Sequence, residues 1–123
     1  MPILEVEIVG PLDDAIEDGL AARLADAAAA VLDPDRPQGT WVRLRRLDLD
    51  GYAENVGGPL AGTLPVFVSV LQAAPPGGDA LGREARALTE AVAGACGRSA
   101  EHVHLLYEPP AAGRIAFGGE LRR

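Results

Sequence analysis

The chain has 123 residues, 48% hydrophobic and 24% charged, the balance of a globular domain with a core of its own. Its net charge of −7 argues against nucleic acid as a partner, because phosphate binding needs a positive field. All 11 basic residues are arginines, which excludes lysine Schiff-base chemistry and a P-loop lysine. The longest apolar run, Ala27 to Leu32, is too short to span a bilayer, and no basic segment precedes an apolar stretch. A membrane is therefore not an expected partner; a single cysteine, Cys96, excludes an intrachain disulfide, and the cytoplasm is the expected compartment.

In Pro2 to Val9, Leu4, Val6 and Ile8 alternate with Glu5 and Glu7, the period of a half-buried strand. Gly10-Pro11 breaks it. Ile16, Leu20, Leu24, Ala28 and Val31 then share one helical stripe, predicting a helix from about Asp14 to Leu32 that Asp33-Pro34 stops. Thr40 to Leu47 reads as a second strand, with Arg43 and Arg45 on one face and Arg46 on the other. A Gly-rich connection covers about Gly51 to Gly62. Pro65 to Leu71 is a third strand, and Asp79 is placed to cap a helix along Leu81, Ala85, Leu88, Val92 and Ala95 that ends at Gly97. His102 to Tyr107 is the fourth strand, closed by Pro109-Pro110.

This order repeats itself. Val42 and Val103 stand 61 residues apart, and the same offset carries Leu44 onto Leu105 and Val56-Gly57-Gly58 onto Phe117-Gly118-Gly119. One domain over 1–123 is expected, built from repeats of about 2–62 and 65–123. The fold class is α/β of the two-layer α+β kind: two tandem β-α-β units forming a four-stranded sheet with two helices on one face, plus short hairpins. Crossover handedness puts both helices on the same side. Nothing in the chain is left to cover the other side, so an oligomer is expected.

The Met1-Pro2 start feeding a strand, the doubled β-α-β plan and the segment Gly113-Arg114-Ile115-Ala116-Phe117-Gly118-Gly119-Glu120-Leu121 resemble the tautomerase superfamily. The resemblance implies a homotrimer that works without a cofactor on a small carboxylic acid, an enol or α-keto acid. It implies that Met1 is removed and that the Pro2 amine is general base and acid. A partly apolar pocket would bring such an amine toward neutrality, where a proton shuttle works best.

The resemblance also implies that a neighbouring subunit completes the pocket. His104 falls where the family carries a polar or cationic side chain, and it can donate to a substrate carbonyl or carboxylate. Arg43, its repeat-mate, matches the family arginine within its own unit and by pseudo-symmetry would serve the Pro65 end. Arg114 can clamp a carboxylate with two bonds. Tyr107 can hydrogen-bond the substrate, although it, Trp41 and Phe117 also suit a core or an interface. Pro65 repeats Pro2 inside the chain, so its nitrogen is never basic. No metal site is expected, since His102 and His104 lack companion ligands.

Departures from the family narrow the chemistry. Leu12 replaces the arginine that follows the first strand. Ala73-Ala74-Pro75 stands where the decarboxylase branch has arginines, and Ala116 where the dehalogenase branch has a water-activating glutamate. Proton transfer is therefore expected over decarboxylation, hydration or dehalogenation. A trimeric binding or structural module of the same fold is the rival expectation.

Overall fold

The computed structural model describes residues 2–36, 38–60 and 62–123. Strand β1 is Ile3–Val9, with Leu4, Val6 and Ile8 buried on one face and Glu5 exposed on the other. The single helix expected over 14–32 is instead two, α1 (Asp14–Glu17) and α2 (Leu20–Leu32). Gly19 sits between them at φ 68°, a left-handed turn that only glycine adopts freely. The Arg23 guanidinium folds back to donate to the carbonyls of Ile16 and Asp18, so the broken turn keeps its partners.

Strand β2 is Trp41–Leu47, and Arg46 turns to the helix side, where it donates to Glu17 at 3.0 Å. Strand β3 (Val66–Leu71) and helix α3 (Gly78–Cys96) follow. Helix α3 begins one residue ahead of the expected Asp79 cap, and Asp79 lies in its first turn, where a carboxylate opposes the helix dipole. Gly97 ends it at φ 67°, as expected. Strand β4 (Val103–Tyr107) and the hairpin of β5 (Ile115–Phe117) and β6 (Glu120–Arg122) complete the chain.

The main sheet has the order β2-β1-β3-β4, with β1 parallel to β2, β3 parallel to β4, and β1 antiparallel to β3. Leu4, Val6, Ile8, Val66, Val68 and Val70 meet Leu20, Leu24, Leu88 and Val92 in one core beneath both helices. Each fully buried leucine or isoleucine there contributes about 1.5–3 kcal/mol. The fold is the expected two-layer α+β arrangement. Among the described residues no helix is long and apolar enough to cross a membrane.

The two repeats differ at their hairpins. Phe117 pairs with Glu120 in the second, but in the first the ladder shrinks to one bridge, Glu54 with Gly58. Pro59 is the repeat-mate of Glu120 and has no N–H to give to a ladder.

Opposite the helices the sheet is open. It displays Glu5, Glu7, Arg43, Arg45 and His104, together with Trp41 (47% exposed), Phe67 (37%) and Leu106 (62%). At the end of β1, Gly10 takes φ 92° and donates to the Leu47 carbonyl at 2.8 Å, and a Cβ there would stand 2.6 Å from Leu64 Cδ1. Gly10→Ala is accordingly expected to cost about 1–3 kcal/mol in urea unfolding; an unchanged midpoint would contradict this account of the turn.

Candidate active site

Pro2 sits one residue ahead of the β1 ladder and is buried; its carbonyl accepts from the Trp41 N–H at 3.0 Å. A strand start tolerates proline because no ladder donor is needed there. Ile3 pairs with Trp41 on one side and Leu71 on the other, so Pro2 is level with Thr40 and Gln72. By strand alternation all three side chains share the helix side with Leu4, Val42 and Val70.

The row is polar at both flanks. Thr40 is buried, and its Oγ1 has no hydrogen-bond partner among the described residues; the same holds for Gln72 Oε1. Gln72 Nε2 donates to Glu84 Oε1 at 3.3 Å, and the Tyr107 hydroxyl donates to Glu84 Oε2 at 2.9 Å. Burial, then the bond to Glu84, raises the Tyr107 phenol above its ordinary value, so it stays a proton donor. The segment after β4 closes this end: the N–H groups of Ala111 and Ala112 donate to the carbonyls of Gln72 and Ala73 at 2.9 and 3.2 Å. The hairpin then brings Phe117 edge-on to Trp41, with ring centroids 5.4 Å apart.

The other expected site residues lie elsewhere. Arg43 is on the open face, paired with Glu5 at 2.6 Å. His104 is on the same face of β4, its ring centroid 5.7 Å from that of Phe67. Arg114 is exposed in the loop before β5. One chain thus gathers Pro2 and Tyr107 toward the helix side and carries Arg43 and His104 on the reverse. A hollow of about 230 Å³ in the open face is lined by Glu5, Glu7, Arg43, Arg45, Phe67 and Ser69. Pro65 is buried at the opposite end of the sheet, where its carbonyl accepts from Val9 N–H at 3.1 Å. Arg98 fills that end by donating to the carbonyls of Val9 and Leu64 at 3.1 and 2.9 Å. Met1 lies outside the described residues.

Sequence reasoning passed over Thr40, Gln72 and Glu84. Their signal is parity and spacing. Thr40 and Gln72 extend the inward sets Val42-Leu44 and Val66-Val68-Val70 by one step. Glu84 stands three residues after Leu81 and four before Leu88, an acid on an apolar stripe. Among the described residues no three His, Cys, Asp or Glu side chains gather as metal ligands would.

Two parallel strand pairs joined antiparallel, with both crossover helices on one face and a buried proline at the head of the first strand, make the tautomerase-superfamily fold. Solved structures share it at low identity. A fused 4-OT symmetric trimer is 17% identical, with 98% of this chain and 94% of that one covered and a TM-score of 0.76. FG41 malonate semialdehyde decarboxylase, inhibited by 3-bromopropiolate, is 21% identical, covering 94% and 88%, with a TM-score of 0.70. A macrophage migration inhibitory factor-like protein from Entamoeba histolytica is 9% identical, covering 97% and 96%, also at 0.70. No family and no curated protein matches by sequence.

Proposed function

We propose that this chain is a cofactor-independent tautomerase acting as a homotrimer on an enol or α-keto acid. Removal of Met1 turns the Pro2 nitrogen into a secondary amine that takes a proton from the enol and returns it to carbon. The burial of Pro2 carries this reading. Desolvation disfavours the ammonium form and keeps a useful fraction of the amine unprotonated near neutral pH. An arginine or histidine of a neighbouring subunit, drawn from Arg43, His104 and Arg114, holds the carboxylate and polarises the carbonyl.

Support for the trimer is the open face, which carries apolar Trp41, Phe67 and Leu106 and two strand edges, β2 and β4. The fused 4-OT structure is a symmetric trimer. Leu106→Arg is expected to shift the mass from trimer to monomer by light scattering; a monomeric parent would contradict the assembly.

The activity is tested with phenylenolpyruvate, whose ketonisation is followed by absorbance. Saturable turnover without any added cofactor, lost after treatment with 3-bromopropiolate, is the expected result. A trimer inert toward this and other enol acids would replace the enzyme reading with that of a binding module.

A further inference from the structure

We infer that Thr40 and Gln72 are positioning residues that hold the freed Pro2 amine between their side-chain oxygens, a step that rests on the reading of Pro2 as the base. The two residues stand one step beyond the ends of β2 and β3, level with Pro2 by the register of Ile3 with Trp41 and Leu71, and so about 4.8 Å away on either side. Their oxygens, Thr40 Oγ1 and Gln72 Oε1, are buried without partners among the described residues. Native proteins rarely leave such atoms unpaired. A prolyl amide between them has no hydrogen to offer, whereas the amine has one and the ammonium two.

The hydrogen-bonding types fit both forms. The Glu84 carboxylate accepts only, so it takes one Gln72 Nε2 hydrogen and orients the amide with Oε1 free to accept. Thr40 can donate or accept by rotating its hydroxyl. With the amine neutral, its N–H goes to Gln72 and the Thr40 hydroxyl donates to the nitrogen lone pair. With the amine protonated, both oxygens accept. The proton arrives with one hydroxyl rotation and no other movement.

Charged groups around this row are otherwise committed. Glu84 on α3 is held by Gln72 and by Tyr107 of β4. Asp33, after α2, is the exception: its Oδ2 stands 3.6 Å from where a Cβ on Gly39 would sit, next to Thr40 in the chain. Glu5 and Arg43 pair with each other on the far face of the sheet. The two neutral oxygens are the groups level with Pro2 itself, one on each side, and they take the proton.

The test follows the Pro2 nitrogen by NMR in full-length protein labelled with nitrogen-15 proline, comparing the parent with Thr40→Val, Thr40→Ser, Gln72→Leu and the double variant. Losing an acceptor disfavours the ammonium, so Thr40→Val and Gln72→Leu should each lower the midpoint of the amine titration, by up to about one pH unit, and the double variant by more. Thr40→Ser, which keeps the hydroxyl, should restore the parent midpoint. The acid limb of the rate profile should move with the amine, a change that a merely structural role would not produce. An amine titrating at the parent midpoint in the double variant overturns the inference and leaves the base reading standing. A parent Pro2 nitrogen that remains an amide overturns the base reading itself, and this inference with it. Should Gln72→Leu fail to fold, the near-isosteric Thr40→Val decides alone.

Discussion

Pro2→Ala is expected to lower kcat/KM on an enol acid by about 10²–10⁴, the usual worth of a positioned general base. The substitution leaves a primary amine on a flexible residue, so both the placement and the basicity of the nitrogen change. Stability should fall by only about 1–2 kcal/mol, the worth of two buried ring carbons, because the carbonyl that accepts from Trp41 is retained. Activity and thermal midpoint measured together separate the two effects. Parent-like turnover in a folded Pro2→Ala protein would remove the proline from the mechanism.

Leu88→Ala is the stability counterpart. Leu88 is fully buried at the centre of α3 and packs in the cluster with Leu4, Val6 and Val68. Truncation removes its transfer energy and leaves a cavity, at an expected cost of about 2–5 kcal/mol in urea unfolding. Domains of this size are stable by only about 5–15 kcal/mol, so the loss is a large share of the total. Leu88 also follows Glu84 by one turn, so the bonds of Glu84 to Gln72 and Tyr107 should loosen with it. A cost below about 1 kcal/mol would mean that α3 does not rest on this contact.

Local patterns carried most of the architecture. The alternation around Leu4 and Glu5, the stripe from Leu81 to Ala95 and the repeat offset from Val42 to Val103 can all be read along the chain, and they led to the sheet and the single helix layer. The break at Gly19 escaped because Ile16 and Leu20 keep helical spacing across it, while the turn depends on one left-handed glycine and on Arg23 folding back. The first hairpin failed for a reason visible in the chain, a proline at the position where the second has Glu120.

The candidate site was legible only in part. Pro2 and Tyr107 stand out by type and place. Thr40 and Gln72 matter because they flank Pro2 across two strands, a relation that needs the register β2-β1-β3 and belongs to no local window. Arg43 and His104 were readable as open-face residues by parity. Their partner across that face is a second chain in the proposed trimer, which no pattern within one chain can express.

Cys96 makes a direct chemical test possible. It is buried, and loss of solvent pushes its thiol up to about 11, with Arg98 and Arg23 pulling weakly the other way. The native thiol is therefore protonated at neutral pH, whereas the proposed Pro2 amine is partly neutral there, which makes the amine the preferred nucleophile. The decisive measurement is the intact mass and peptide map of the native protein before and after 3-bromopropiolate. The account predicts a chain lacking Met1 that gains one adduct on Pro2. A chain that retains Met1, or one whose Pro2 stays unmodified, would contradict it.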